Sequence, residues 1–460
     1  MTTRAPHAFY VPEDLDFTIL DSALASIRYA LAVCDDPGDG TLRCRSVTST
    51  PDGSLSRYRG RLIEGVGYCA DSIFAANQIV RFGQTVGSEA LVTGGQRIAL
   101  HAFATGFFDD PSIPIRMYRD CESGEFLDNL EGRPEYLELG HMARVGHELV
   151  ALAEVAEPEM AKAAQAVVRR LALWLRDVEL CPNGWYPRRC APDGKIYDRA
   201  PDAFGPTPLP EPFPLDPLYD QSGAGSFVIQ FLAAMYRTGW AELRKPITQG
   251  VEAFISQGGH FGSTNTDTED LHENVSYAIA YLAIQEAADS LSMPEWSGFA
   301  LKFCLQPLEQ FEITEDLNGL QTKGLLFMEE SWNSACMWEM AMAAQAYLLA
   351  FRKAGARRFA LKALTILRSM AKHHHGNLGF LTEAVDWDGH SVKTRHFQAE
   401  AKGDIADTHA FLNNLHVIEP TLTYLNEFAY RLPGSDGTGT AFFDIEGNLL
   451  GPVHPDLRWL

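Results

Sequence analysis

The chain has 460 residues, of which 46% are hydrophobic and 21% are charged, with 38 glycines and 25 prolines. This composition excludes a disordered, collagenous or coiled-coil protein and indicates a large folded core. The 60 acidic residues against 38 basic ones give a net charge of −22, which repels phosphate backbones and argues against a nucleic-acid partner.

Nothing in the sequence marks the chain for a membrane or for export. The mean hydropathy is −0.13, and charged or polar residues interrupt every apolar stretch, which argues against a membrane-spanning helix. The first residues, MTTRAPHAFYVPEDLD, contain no apolar core of signal-peptide length. We therefore expect a cytoplasmic protein. No CxxC pair or HExxH motif occurs, so we expect neither a metal nor a cofactor.

Helical periodicity recurs along the chain and predicts twelve helices. In chain order they are expected near 15–34, 71–83, 88–105, 135–156, 159–177, 221–238, 241–257, 269–290, 296–311, 331–354, 356–373 and 403–430. No linker rich in serine and glycine divides them. We therefore predict a single domain over 1–460, in which 431–460 form a C-terminal extension with a short hairpin.

The connections between these helices alternate in length. Long connections precede the second, fourth, sixth, eighth, tenth and twelfth helices, and short turns follow five of those six. This alternation places all long loops at one end of a stack of helical hairpins, with the last and first helices closing a ring. Helices after long loops are rich in small and apolar residues, whereas those after short turns are amphipathic. We predict an all-α fold with two concentric rings, an (α/α)6 barrel.

The long loops share a weak internal repeat. Segments 184–197 and 379–393 each combine an aromatic residue with a D-G dipeptide, which is typical of a short β-hairpin. We expect these hairpins and the aromatic loop 204–219 to converge on one mouth of the barrel, where they would wall a cleft.

These features together resemble a known group of proteins. Twelve alternating helices, aromatic-rich loops on one face and the turn Gly258-Gly259-His260-Phe261 are similar to the (α/α)6 toroid of the six-hairpin glycosidases. The same toroid serves polysaccharide lyases and the N-acylglucosamine 2-epimerase group. The resemblance implies a pocket where the inner helices begin, and a substrate that is an oligosaccharide or a glycoside.

Every predicted start of an inner helix carries a carboxylate. Paired carboxyl groups cleave glycosidic bonds, because one donates a proton while the other activates water or attacks carbon. We expect Glu273 or Glu330 to be the general acid, since an apolar helix would raise its pKa. Asp220 would be the second carboxylate, because the helix dipole would lower its pKa. Glu329 is an alternative to Glu330, and each carboxylate could instead cap a helix.

Aromatic, amide, histidine and arginine side chains of the same face are candidates for substrate binding. They are Tyr68, His141, Trp185, Arg188, Gln221, His260, His272, Asn274, Tyr277, Trp332, Asn333 and His409. Tyr277 or His260 also offers a second chemistry, the abstraction of a proton beside a uronate carboxylate, as a lyase requires. An epimerase would need a similar pair of histidines.

The leading hypothesis from sequence is a glycoside hydrolase that uses paired carboxylates. The alternatives on the same fold are a uronate-directed lyase and a sugar epimerase. A third hypothesis, from another class, is a helical toroid that binds a glycan or a protein without catalysis. The sequence leaves the oligomeric state open between a monomer and a homo-oligomer.

Overall fold

The computed structural model describes residues 19–45, 48–58, 60–130, 132–197, 223–259, 272–328, 334–376, 378–387, 403–405, 414–433 and 440–453. Within these ranges the chain forms twelve α-helices. They are α1 (Ile19–Ala32), α2 (Ser72–Val86), α3 (Glu89–Thr105), α4 (Leu139–Ala153), α5 (Pro158–Arg176), α6 (Ala224–Arg237), α7 (Arg244–Ser256), α8 (Asn274–Leu291), α9 (Pro294–Ala300), α10 (Met337–Ala354), α11 (Arg357–Met370) and α12 (Ile418–Glu427). A π-helical turn (Leu301–Leu305) and a 3-10 turn (Gln306–Phe311) continue α9.

The even-numbered helices form a closed inner ring. Each packs against the next, from α2 to α4, α6, α8, α10 and α12, and α12 packs against α2. The odd-numbered helices lie outside, each against its hairpin partner. This arrangement confirms the predicted (α/α)6 barrel.

The first helix closes the outer ring, as the sequence predicts. Ile19, Leu20, Leu24 and Ile27 are buried, and α1 packs against α12. Burial of each such aliphatic side chain contributes about 1.5–3 kcal/mol. The side-chain amide of Asn414 also donates a hydrogen bond to the Ser26 carbonyl, 2.7 Å away. Phe17, which lies in the predicted first helix over 15–34, is outside the described residues.

Composition explains which helices lie inside. The inner helix α8 is buried on nearly all sides, whereas the outer helix α11 buries one face and exposes arginines and a lysine on the other. Small residues set the spacing of the inner ring. A Cβ at Gly140 would lie 2.7 Å from the Ala224 Cβ, so α4 and α6 approach as closely as their backbones allow.

Seventeen short strands occur in the described residues, and all their pairings are antiparallel. They are β1 (Cys34–Asp35), β2 (Arg43–Cys44), β3 (Thr48–Ser49), β4 (Leu55–Ser56), β5 (Ile63–Gly65), β6 (Tyr118–Asp120), β7 (Phe126–Leu127), β8 (Leu137–Glu138), β9 (Arg189–Cys190), β10 (Ala335–Cys336), β11 (His374–His375), β12 (Phe380–Leu381), β13 (Ala384–Asp386), β14 (Gly403–Asp404), β15 (Tyr430–Pro433), β16 (Thr440–Phe443) and β17 (Leu449–Val453). The last three form one sheet beyond α12.

Several inner helices begin later than the sequence predicts, because a short strand precedes them. Strand β8 leads directly into α4, and β10 leads directly into α10. The predicted twelfth helix over 403–430 is wrong at its start. Gly403–Asp404 form strand β14, which pairs with β13, and the helix begins only at Ile418. Among the described helices, none has both the length and the apolar run needed to cross a bilayer.

Candidate active site at the starts of the inner helices

The inner helices begin at one end of the ring, which we call the N-terminal mouth. Two of the predicted hairpin segments contribute strands to it. Strand β9, from segment 184–197, pairs with β8 before α4, and β13, from segment 379–393, pairs with β10 before α10. The two therefore lie at the same mouth, as predicted. Loop 204–219 lies outside the described residues.

A carboxylate and a histidine form a close pair at the start of α4. Glu138 is the last residue of β8, and His141 lies in the first turn of the helix. Their Oε2 and Nδ1 atoms are 2.9 Å apart, with 12% and 19% of the side chains exposed. Arg189, on the facing strand, places Nη2 3.8 Å from the other carboxylate oxygen.

The Glu138 carboxyl is held in its ionised form. Burial acts to raise its pKa, but His141 and the neighbouring arginines outweigh burial and lower the pKa to about 2. An ionised carboxylate oxygen 2.9 Å from Nδ1 favours the tautomer that carries its proton on that nitrogen, which leaves a lone pair on Nε2. The pair therefore has the chemistry of an oriented general base.

Aromatic rings surround this pair. The Tyr68 ring stacks on the His141 ring with centroids 4.7 Å apart and an angle of 8° between the planes. Trp338, in the first turn of α10, meets Tyr68 edge to face at 5.4 Å. Burial raises the pKa of the Tyr68 phenol well above its usual value, so the phenol keeps its proton at neutral pH. Two predicted binding residues, Tyr68 and His141, are thus brought together.

A buried guanidinium lies beneath the aromatic rings. Arg144, one turn below His141, places its Cζ 5.5 Å from the Tyr68 ring centroid and 5.4 Å from that of Phe74. Its Nη2 lies 3.4 Å from Asp71 Oδ2 and donates to Nε2 of His416. Because burial and Arg144 hold the pKa of His416 well below its usual value, that imidazole is neutral. These groups join α2, α4 and the segment before α12 across the barrel axis.

Asp71, at the predicted start of the second helix, does not cap α2 with its side chain. It occupies the N-cap position of α2, but its side chain makes no capping hydrogen bond, and its backbone is left-handed, with φ of 40°. Such a conformation is strained for a residue other than glycine. The carboxylate instead faces Arg144, so the strain is tied to the buried ion pair.

Four other predicted residues lie around the start of α8. Glu273 is fully buried at the N-cap position and accepts a hydrogen bond from the Ser276 hydroxyl at 3.0 Å. Asn274 is fully buried and donates to the Phe327 carbonyl at 2.7 Å, which ties α8 to the next loop. His272 Nδ1 lies 2.6 Å from the Tyr277 hydroxyl, and their rings are nearly parallel.

Two predicted binding residues on segment 184–197 are buried. Trp185 is only 3% exposed and packs against Phe254, with the ring centroids 5.3 Å apart. A Cβ at Gly225 would come within 2.4 Å of the indole, so no ligand fits between them. This placement corrects the expected stacking role, because the ring fills the space between the hairpin and α6. Arg188 is 6% exposed and adds to the positive charge around Glu138.

The remaining predicted residues lie outside the described part of the chain. They are Asp220, Gln221, His260, Glu329, Glu330, Trp332, Asn333 and His409. Two of the three predicted catalytic carboxylates are among them, so their roles stay predictions.

The sequence did not single out two residues of this site, His416 beside Arg144 and Trp338 beside Tyr68. His416 falls inside the helix predicted over 403–430, where a histidine carries no functional signal. Trp338 was hidden in an apolar helix whose true start is Met337. The sequence contained one signal for this region. Asn414 and His416 are polar residues that interrupt an apolar run just before the true start of the helix at Ile418.

Comparisons with known proteins agree with this architecture. No protein-family model matches the chain, and no curated protein matches it. Among solved structures, the chain is similar to a sugar epimerase from a ruminal bacterium, with 14% identity and a TM-score of 0.59 over 87% of this chain and 98% of that one. It is also similar to a D-mannose isomerase, with 12% identity and a TM-score of 0.58 over 88% of this chain and 97% of that one.

A third similar structure is an unsaturated glucuronyl hydrolase from Bacillus sp. GL1. The identity is 12% and the TM-score 0.51, over 89% of this chain and 96% of that one. Sequence identities this low establish the fold alone. The chain therefore has the (α/α)6 toroid of the six-hairpin glycosidase-like proteins, which confirms the resemblance inferred from its sequence.

Proposed function

We propose that the protein is a carbohydrate-active enzyme whose N-terminal mouth transfers a proton at the carbon beside a sugar carbonyl. Aldose–ketose isomerisation and 2-epimerisation are the two outcomes of such a step. The observation that carries this proposal is the pair of Glu138 and His141, placed against Tyr68 and above Arg144. This choice moves the epimerase, an alternative at the level of sequence, ahead of the glycoside hydrolase.

The base in this reaction is His141. Because ionised Glu138 favours the proton on Nδ1, the lone pair on Nε2 takes the proton from C2 of the open-chain sugar. The electrons of the C–H bond then form an enediolate, whose negative charge lies on the former carbonyl oxygen. Return of this proton by His141 to C1, as the O2 proton moves to O1, gives the ketose. Return to the opposite face of C2 gives the epimer and requires a second acid on that face.

Two other groups stabilise the enediolate. The Tyr68 phenol keeps its proton because of its raised pKa, so it donates a hydrogen bond to the developing oxyanion. The fixed positive charge of Arg144, beneath the Tyr68 ring, favours negative charge in the same region. Trp338 packs edge-on against Tyr68 from the α10 side, which holds the phenol ring in place.

The comparisons with solved structures also support an isomerase or epimerase reaction. The similar solved structures named above include a sugar epimerase and a D-mannose isomerase, both covered almost end to end by this chain. The electrostatics also favour proton transfer, since Glu138 is held ionised and cannot serve as a general acid near neutral pH.

A second candidate function is glycoside hydrolysis. It is favoured by Glu273, a fully buried carboxyl at the start of an apolar inner helix, and by the similarity to an unsaturated glucuronyl hydrolase. In this mechanism Glu273 or Glu330 protonates the leaving oxygen, and Asp220 is the base or nucleophile. A uronate-directed lyase would use Tyr277 and the loop histidines.

Exchange of the C2 proton of a sugar with deuterium from heavy water distinguishes the two functions. We expect the protein to exchange the C2 proton of D-mannose or cellobiose with solvent deuterium, measured by proton NMR. The variant His141→Asn should slow this exchange about 10²–10⁴-fold, because the base is lost. Glu273→Gln is the matched comparison and should leave exchange within a few fold of the parent.

The opposite pattern would contradict the proposal. If no reducing sugar loses its C2 proton, while unsaturated uronate oligosaccharides or aryl glycosides are cleaved with Glu273→Gln inactive, the protein is a hydrolase. If the rate of exchange is unchanged in His141→Asn, His141 is not the base.

A further inference from the structure

Two thiols meet in the long connection between α1 and α2. Cys34 lies in β1, just after the end of α1, and Cys44 lies in β2. The two strands are antiparallel, and Cys34 and Cys44 are direct partners across them. Their Sγ atoms are 3.5 Å apart. Both cysteines are free, so this contact joins two reduced thiols.

The backbone at this pair has the geometry that a disulfide requires. Direct partners on antiparallel strands have Cα atoms about 4.5–5.5 Å apart, and bridged cysteines have Cα atoms about 4.4–6.8 Å apart. Bond formation therefore needs rotation of the two side chains and no movement of the strands. Asp35 accepts from Arg43 across the strands at 2.6 Å and pairs with Arg45 at 2.9 Å. These ion pairs favour the register that keeps Cys34 opposite Cys44.

The two thiols differ in their exposure to solvent. Cys34 is partly exposed, whereas Cys44 is buried. Burial and the contact with Cys34 raise the pKa of the Cys44 thiol well above its usual value, so Cys44 keeps its proton at neutral pH. An oxidant reacts with the thiolate and not with the thiol. Cys34 is therefore the sulfur that reacts first, and Cys44 is placed to react second.

We propose that Cys34 and Cys44 form a thiol-oxidation site, which takes a peroxide and closes to a reversible disulfide. The Cys34 thiolate attacks one oxygen of hydrogen peroxide, and the O–O bond breaks. Cys34 becomes a sulfenic acid, and the other oxygen leaves as water with the proton that the thiol lost. The Cys44 sulfur then attacks the Cys34 sulfur, and the displaced hydroxyl leaves as water with the Cys44 proton. Two thiols lose two electrons, and one peroxide is reduced to two waters.

The disulfide would join the end of α1 to the strands that follow it. The Cys34 thiol donates to the Ala30 carbonyl in the last turn of α1, with the sulfur and oxygen 3.3 Å apart. Next to Cys44, Arg45 pairs as an isolated β-bridge with Glu64 of β5. A bond between the two cysteines closes the segment 34–44 into a loop. Because such a closed loop restricts the unfolded chain, we expect the oxidised form to be the more stable one.

The test treats the folded full chain with hydrogen peroxide and maps its thiols by mass spectrometry. Trypsin cleaves after Arg28, Arg43 and Arg45, so the disulfide would link peptide 29–43 to peptide 44–45. We expect this linked species, together with the loss of two of the eight free thiols. Dithiothreitol should restore both. The oxidised chain should melt about 2–4 °C above the reduced one.

Three variants separate the roles of the two sulfurs. Cys44→Ser should stop at the sulfenic acid of Cys34, which dimedone labels, with no linked peptide. Cys34→Ser should show neither a label nor a link at Cys44. Cys121→Ser is the matched control, because Cys121 is also partly exposed, and it should form the disulfide as the parent does.

Four results would overturn the proposal. In a chain shown to be folded by circular dichroism, two thiols that stay free in peroxide would show that the pair is unreactive. Oxidation of Cys34 beyond the sulfenic acid, without a linked peptide, would show that Cys44 does not reach it. A link from Cys34 to Cys121 would assign a different partner. A disulfide that lowers the melting temperature would show that the strands must move. Since the readout is the state of the thiols, it does not depend on the reaction proposed for the N-terminal mouth.

Discussion

The two ends of the barrel are built from the same six helices but present opposite electrostatics. At the N-terminal mouth, short strands fix the first turns of the helices, and Glu138 is held ionised, with a pKa of about 2, beside His141. At the other end, Glu419 has a pKa of about 7 and no described hydrogen-bond partner. An ionised carboxylate orients a base, whereas a carboxyl with a raised pKa is partly protonated near neutral pH. We therefore assign catalysis to the first end.

Removal of the Glu138 charge should produce the largest effect at the N-terminal mouth. Glu138→Gln keeps the shape of the side chain but removes the negative charge that favours the His141 proton on Nδ1 and stabilises the imidazolium formed during the reaction. We expect proton exchange to fall at least about 10²-fold, as measured by NMR in heavy water. Glu419→Gln, the same exchange of groups at the other end, should leave the rate within a few fold. Equal losses in both variants would erase the functional division between the two ends.

Loss of the buried ion pair between Arg144 and Asp71 should cause the largest decrease in the free energy of unfolding. Arg144→Leu removes the cation that faces the buried Asp71 carboxylate, which typically costs about 3–5 kcal/mol. The measurement is the free energy of unfolding in urea. The control is Arg57→Leu, which breaks an exposed pair with Glu122 and should change that free energy by less than about 1 kcal/mol. Similar values for the two variants would show that the axial pair contributes little.

A smaller effect should follow from filling the space beside Trp185. Gly225→Ala places a methyl group against the indole, and such overpacking costs about 1–3 kcal/mol. Catalysis should be unchanged, because Trp185 is buried in the wall of the mouth and we expect no contact between its ring and the substrate. Gly298→Ala is the control, since it lies in α9 with no atom within 4 Å of the added carbon. It should raise the free energy of unfolding by about 0.5–1 kcal/mol. Loss of substrate affinity in Gly225→Ala would restore a binding role for Trp185.

The smallest effect concerns pH at the other end of the barrel. A carboxyl whose folded pKa is raised to about 7 binds more protons folded than unfolded, so it lowers stability as pH rises from about 4.5 to 7. Glu419→Gln lacks this loss and should melt about 1–3 °C above the parent at pH 8, with little difference at pH 4.5. The charged groups that act on Glu419 are Glu148, His147, Arg144 and Arg81. A difference that is greatest at pH 4.5 would reverse the assigned sign.

The sequence carried enough information for the ring but not for its short strands. Alternating loop lengths and small-residue helices predict twelve helices, because helical periodicity extends over many residues in each element. Strands such as Leu137–Glu138 and Gly403–Asp404 have two residues, too few for an alternating pattern to appear. Their pairing depends on distant partners, Arg189–Cys190 and Ala384–Asp386, which local propensity cannot reveal.

The same limit applies to the site. Tyr68 and His141 were identified because polar and aromatic residues at an inner helix start stand out in the sequence. The contact of Arg144 with His416 spans 272 positions, and no local pattern predicts it. For Asp404, by contrast, the sequence suggests a role that the structure does not show, because Asp404 lies at the start of a predicted helix and would be expected to cap it. In the structure, it accepts from His373 and His375, and these histidines lower its pKa against the effect of burial.

The most direct test of the functional division is a crystal structure with the reducing sugar that supports C2 exchange, soaked into the His141→Asn variant to slow turnover. We expect the sugar at the N-terminal mouth, with C2 about 3–3.5 Å from the position of the missing Nε2 atom and the carbonyl oxygen towards Tyr68. Electron density for the sugar only at the opposite end of the barrel, with the N-terminal mouth empty, would contradict the assignment of catalysis to Glu138 and His141.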